Sequence, residues 1–196
     1  MSAPDRLSPF GPEARPGRHG AAGGSPVLMT ERRVDIVQVM ASRDAEAAGG
    51  VRDATGLALP GPRKAEIAGD AMAVWIQPSG WLVIRPRGEE GALAKKLGGN
   101  EAMAVVDQSH GRCVLRLSGA HAGGVLAKGS RVDLHPRVFP PGSAATTSID
   151  HLTVTIVKVD AVPSFDLILP SSFAEAFLDW LRTSATEFGY EIRPST

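Results

Sequence analysis

Apolar and polar side chains first alternate along Val34-Asp35-Ile36-Val37-Gln38-Val39-Met40, where β-branched residues suit a pleated, half-buried surface and predict a strand. Residues 43–55 have weak helical character and stop at Gly56, a candidate left-handed cap, before the Pro-containing loop 57–62. Met72 to Gln77 and Trp81 to Arg85 then flank Pro78-Ser79-Gly80, whose proline and glycine suit turn dihedrals, so this stretch predicts a hairpin. A helix is expected over 89–97, acidic at its start, basic near its end and stopped by Gly98-Gly99, with a strand over 102–107 after it. The order β-α-β-β-α-β is the split βαβ, or ferredoxin-like, pattern.

The second half repeats that order less cleanly. Residues 113–118 alternate as a strand, 120–128 suit a helix ending at Gly129, and 131–134 read as a short extended piece. After Phe139-Pro140-Pro141-Gly142, the span 146–160 contains a long alternation of Leu152, Val154, Ile156 and Val159, broken by Pro163 from a partner at 165–169, so another hairpin is expected. The C-terminal helix is expected over 172–188: Ser172 and Glu175 fit a capping box, Phe173, Phe177, Leu178, Leu181, Ala185 and Phe188 form one apolar stripe, and Gly189 suits a left-handed stop. The expected fold class is therefore α+β: two ferredoxin-like (split βαβ) α/β sandwich modules, over 31–110 and 111–196, with the boundary near 108–112. Residues 1 to about 26 are rich in Pro, Gly, Ala and Arg, with Leu7 and Phe10 the only sizeable apolar side chains, and a disordered tail is expected over 1–30 with order beginning near Arg33.

Composition narrows the function classes. The 196 residues are 43% hydrophobic, enough for one sizeable core or two small ones, and 21 basic residues balance 21 acidic ones. No overall field draws nucleic acid or an anionic membrane. A lone cysteine, Cys113, excludes an internal disulfide and any multi-thiolate metal site, and points to a reducing cytoplasm and a buried, inert thiol. No apolar run nears the roughly 20 residues that span a bilayer, and the N-terminus lacks the order of a secretory signal.

The catalytic inventory is thin: the sequence has no glycine-rich dinucleotide fingerprint, no phosphate loop and no nucleophile elbow. Acid, base and cation cluster only at Asp107-Gln108-Ser109-His110-Gly111-Arg112, between two expected strands. Asp107 and His110 could form an acid–base pair and Arg112 could bind a carboxylate. The same residues could instead make a hydrogen-bonded turn with Gly111 at positive φ, and the structural or interface reading is the favoured one. Asp133 could orient or charge the imidazole of His135, although Asp133, His135, His110 and His151 have no spacing that fixes a metal geometry. Phe139-Pro140-Pro141-Gly142 is rigid turn chemistry whose Phe139 ring could dock into a neighbour. Asp107, Gln108, His110, Arg112, Asp133, His135 and Phe139 are thus candidates for partner contacts or structural turns, with no catalytic, cofactor or metal residue assigned. Trp75 and Trp81 are expected as core or layer-edge anchors.

The motif string resembles a known family, the gamma subunit of heterotetrameric sarcosine oxidase. It runs through Asp107-Gln108-Ser109-His110-Gly111-Arg112, Leu126-Ala127-Lys128-Gly129, Val132-Asp133-Leu134-His135-Pro136, Phe139-Pro140-Pro141-Gly142 with Thr146-Thr147, and Ser171-Ser172-Phe173-Ala174. It closes at Glu187-Phe188-Gly189, and upstream Thr55-Gly56-Leu57-Ala58-Leu59-Pro60 and the Trp75 to Trp81 hairpin fit as well. Pro170 departs from the pattern, where an arginine-type residue is expected.

The resemblance implies a small non-catalytic subunit that supports a complex oxidatively demethylating sarcosine to glycine, with hydrogen peroxide and 5,10-methylenetetrahydrofolate formed. It implies alpha, beta and delta subunits as partners, with FAD, FMN, NAD and tetrahydrofolate bound in the complex and none by this chain. It also implies a fold similar to the folate-binding domain of aminomethyltransferases. The alternative is an independent tetrahydrofolate-binding one-carbon transferase, with Asp107 or Asp133 holding the pterin and Arg112 the glutamate tail. A scaffold in an unrelated complex is a third reading.

Overall fold

The structure, a computed structural model, describes residues 7–12, 14–21 and 24–196. Two sheets carry it. The first half supplies β3 (Val34–Ala41), α1 (Asp44–Thr55), β4 (Ala65–Ala68), β5 (Ala71–Gln77), β6 (Gly80–Pro86), α2 (Ala92–Leu97) and β7 (Met103–Asp107). These strands lie in the order β4-β5-β6-β3-β7, so the expected β-α-β-β-α-β frame is present with β4 added at one edge. Gly56 ends α1 at φ 77° and its N–H bonds to the Arg52 carbonyl, satisfying a carbonyl of the last turn.

The second half supplies β8 (Arg112–Ser118), α3 (Ala122–Ala127), β9 (Ala144–Ile149), β10 (Leu152–Lys158), β11 (Ser164–Pro170), α4 (Ala174–Ala185) and β12 (Tyr190–Arg193). Its sheet adds β1 (Gly17–His19) and β2 (Val27–Arg32), in the order β1-β12-β2-β8-β11-β10-β9. The frame is the same as in the first half, with β9 added at the edge and β2 wedged between β8 and β12.

That wedge corrects the expected disordered tail. β2 pairs antiparallel with β8 and parallel with β12, while β1 caps the edge beside β12. Val27 and Met29 are fully buried and Phe10 is 1% exposed. The physical reason is that a few apolar residues suffice when a preformed sheet offers an unpaired strand position: backbone bonds and a shared core repay the ordering entropy that a free tail could not. Gly11 lies so close to the Glu175 carboxylate, at φ 67°, that a Cβ there would collide with it. Residues 1–6, 13, 22 and 23 of the expected tail lie outside the described residues.

Three buried clusters define four layers. Leu115, Leu117, Phe165, Leu167 and Leu169 face α3 and α4 through Val125, Phe177, Leu178 and Leu181. Val37, Val39, Ala73 and Val83 face α1 and α2 through Ala47, Val51, Leu93 and Leu97. Between the sheets, Val34, Ile36, Met72, Val74, Leu82 and Ile84 meet Val114, Ala144, Val157 and Ile168. Alternate residues of one strand therefore enter different cores, as the period of two requires.

Several local expectations need correction. The span 146–160 is two strands: Asp150 (φ 46°) and His151 (φ 67°) turn the chain between β9 and β10, the mirror-type turn that matches strand twist. In the first hairpin Ser79, not Gly80, takes positive φ (52°); Gly80 is needed because a Cβ would strike the Gln77 side chain. Residues 89–91 precede α2, which is confined to Ala92–Leu97. No capping box forms: Ser171–Phe173 is a 3-10 turn, α4 starts only at Ala174, and its start lacks a side-chain cap bond. The delayed start also leaves Phe173 46% exposed. Residues 131–134 join no strand, and Tyr190–Arg193 forms one that the alternation did not reveal. Among the described residues no helix is long and apolar enough to cross a membrane.

Candidate functional site

The turn between β7 and β8 carries the chain from one sheet to the other. The Ser109 N–H donates to Asp107 Oδ1 at 2.8 Å, and Ser109 Oγ accepts from the Ile36 N–H at 3.0 Å. The Gln108 N–H donates to the Ile36 carbonyl (2.8 Å), and the Gln108 carbonyl accepts from the Arg112 N–H (2.9 Å). Asp107 is thus committed to its own turn and does not meet His110, whose Nε2 lies 3.0 Å from Glu90 Oε1 in an exposed pair. The acid–base pair read from the sequence does not form. Gly111 is outside the left-handed region, and a Cβ there would lie 2.9 Å from Gln108 Oε1, a contact that the flexible Gln108 side chain can relieve. The Gly111 carbonyl accepts from the Ser171 N–H at 3.0 Å, tying the turn to the chain entering α4. Burial lowers the pKa of Arg112, because desolvation disfavours its charge.

Asp133 and His135 make a second local turn. Asp133 Oδ1 accepts from the His135 backbone N–H at 2.9 Å, and His135 Nδ1 accepts from the Arg137 N–H at 3.3 Å. The carboxylate therefore holds the backbone and not the imidazole. The Val138 and Phe139 N–H groups both donate to the His135 carbonyl at 2.9 Å. Phe139 is 1% exposed and belongs to the core under α3 and α4, so its ring does not dock into a neighbour; the exposed side chain is Val138. Cys113 is buried, with Sγ 3.7 Å from the Leu169 carbonyl. Trp81 is buried and its Nε1–H donates to the Pro60 carbonyl at 2.7 Å. Among the described residues no group of three or more His, Cys, Asp or Glu could hold a metal ion.

The strongest polar constellation lies elsewhere. Asp166 of β11 is fully buried and accepts from Arg32 Nη1 of β2 (2.6 Å), Arg116 Nε of β8 (2.7 Å) and Arg116 Nη2 (3.0 Å). Arg32 Nη2 donates on to the Asp70 carbonyl (2.6 Å) in the β4–β5 turn of the opposing sheet. Burial opposes the Arg116 charge, but the hydrogen bond and attraction from Asp166, with attraction from Asp70 and Asp160, outweigh it and raise its pKa. A buried carboxylate between two guanidiniums is fully satisfied, which is what makes its burial tolerable. The arrangement positions three strands and clasps the two sheets. Sequence reasoning missed it, although one signal was available: Asp166 interrupts the apolar run Phe165-Asp166-Leu167-Ile168-Leu169, where a carboxylate needs buried partners.

Comparison with known proteins places this geometry. Residues 40–187 match the model of the family described as sarcosine oxidase, gamma subunit family. The chain is 33% identical over 189 residues to a sarcosine oxidase subunit gamma from Arthrobacter sp., covering 93% of this chain and 91% of that one. It is 35% identical over 145 residues to that of Corynebacterium sp. strain P-1, covering 71% and 70%. A chain of heterotetrameric sarcosine oxidase from Corynebacterium sp. U-96, solved in complex with pyrrole 2-carboxylate, superposes with TM-score 0.80 at 27% identity over 93% of this chain and 96% of that one. The aminomethyltransferase of the glycine cleavage system from Bartonella henselae shares the fold, with TM-score 0.59 at 14% identity over 81% of this chain and 46% of that one. With the family model matched over most of the chain, this protein belongs to the sarcosine oxidase gamma subunit family.

Proposed function

We propose that this chain is a non-catalytic subunit that supports assembly of a cytoplasmic heterotetrameric sarcosine oxidase. Its partners are the alpha, beta and delta subunits, with FAD, FMN and NAD carried by the large subunits and tetrahydrofolate bound in the complex. The complex oxidatively demethylates sarcosine to glycine, forming hydrogen peroxide and, with tetrahydrofolate, methylenetetrahydrofolate. The observation that carries this reading is the match, over 93% of this chain and 96% of its counterpart, to a chain of a heterotetrameric sarcosine oxidase. The site geometry agrees with it: the Asp107, Asp133 and His135 side chains accept from backbone amides two residues on in their own turns, as structural residues do.

Co-expression with the partner subunits, pull-down and an absorbance spectrum test this directly. The complex is expected to show flavin bands and sarcosine-dependent peroxide, and the isolated chain neither. Micromolar tetrahydrofolate binding by the isolated chain, measured by calorimetry, would favour the one-carbon transferase instead.

A further inference from the structure

A cleft of about 350 Å³ opens where the two halves of the chain meet. One wall is the loop entering β4, with Pro62, Arg63 and Lys64; the other enters β9, with Arg137, Val138, Phe139 and Pro140. Backbone bonds join the walls: the Ala65 N–H donates to the Gly142 carbonyl (2.8 Å) and the Ala144 N–H to the Arg63 carbonyl (2.9 Å). Buried Phe139 anchors the second wall and leaves its neighbour Val138 58% exposed at the surface. The cleft is therefore rigid before anything binds, which lowers the ordering cost of binding.

Its charge is one-sided. Arg63, Lys64 and Arg137 are all exposed, and among the described residues the lining holds no carboxylate and these three make no ion pair. Arg63 sits at φ 61°, where a glycine would be unstrained and an arginine is not. In a chain of zero net charge, such a patch marks local complementarity to an anionic surface. Most backbone amides around it are already committed: Lys64 N–H to the Gly61 carbonyl, Arg137 N–H to His135 Nδ1, Val138 and Phe139 N–H to the His135 carbonyl, Ser143 N–H to the Pro140 carbonyl. A small phosphate would find no amide cradle here. Spread carboxylates with an apolar residue among them would find three cations and Val138.

We infer that this junction cleft docks an acidic segment of a neighbouring subunit, an inference that rests on the assembly role proposed above. The test uses the complex co-expressed with its flavin-bearing partners. The variant R63E/K64E/R137E is expected to weaken retention of this chain roughly 100-fold, and its neutral counterpart R63Q/K64Q/R137Q about 10-fold with a flatter dependence on salt. Reversal of the exposed Lys95 and Lys96 on α2, K95E/K96E, leaves retention unchanged. An unchanged thermal midpoint of each isolated variant shows that folding is intact; if the glutamate variant unfolds, the glutamine variant decides. Wild-type affinity and salt dependence in the glutamine variant would overturn the cleft assignment, as would inorganic phosphate binding by the isolated wild-type chain that the glutamine variant loses while its association stays intact. If the wild-type chain itself failed to join flavin-bearing subunits, the assembly role would fall and not only the cleft.

Discussion

The two halves share one frame and reach it differently. The first closes its sheet with strands drawn from 34–107, whereas the second leaves a gap between β8 and β12 that β2 fills from the far N-terminus. The first half is thus built from elements close in sequence, and the second depends on residues 7–32, with Phe10 and Met29 in its core and Arg32 on its buried carboxylate. The difference teaches that an ordered tail can be part of a fold that looks complete without it.

Removing residues 1–32 is the harshest break of that comparison. It strips a central strand and the Arg32 partner of Asp166 at once, so the truncated chain is expected to lose cooperative unfolding and bind a hydrophobic dye; a sharp thermal transition near that of the full chain would refute the dependence. Next in size, Asp166→Ala removes the carboxylate from buried Arg32 and half-buried Arg116 and is expected to cost about 3 kcal/mol in urea denaturation. Replacing all three partners by apolar residues, R32M/R116L/D166L, should cost less than that single change, because no charge is left uncompensated. Phe10→Ala should cost about 3 kcal/mol, whereas a disordered tail would make it silent.

The smallest effect concerns pH. Burial lowers the pKa of Lys158 below its ordinary 10.5, with Asp160 opposing the shift. Between the folded and unfolded values the unfolded chain binds more protons, so this group's contribution to stability rises with pH as 10.5 is approached. Measured against Lys158→Met, wild type should gain stability between neutral pH and pH ~10, and a constant difference would remove the effect.

Much of the first half was legible because its signals are local. Alternation marked β3, β5 and β6, and Gly56 stopped α1 at the expected place. β2 was not, because Val27-Leu28-Met29-Thr30 is a short apolar run beside Pro- and Gly-rich chain, and only the gap beside β8 gives it a partner. Asp150-His151 concealed a hairpin because neither residue is glycine, the usual occupant of such dihedrals. The capping box failed because a 3-10 turn shifted the helix start past Ser172. At the site, the turn hydrogen bonds of Asp107 and Asp133 follow from residues two apart. The Arg32–Asp166 pair joins residues separated by 134 positions, and the junction cleft joins loops some seventy residues apart, so both needed the tertiary fold.

Hydrogen exchange on the isolated chain and on the assembled complex tests most directly whether this is a preformed subunit that docks without refolding. Residues 27–32 are expected to be protected as strongly as β8 and β11 in both states, with assembly adding protection around 61–65 and 137–144. Exchange of 27–32 at unstructured rates in the isolated chain, with protection arising throughout the second sheet only on assembly, would contradict the account.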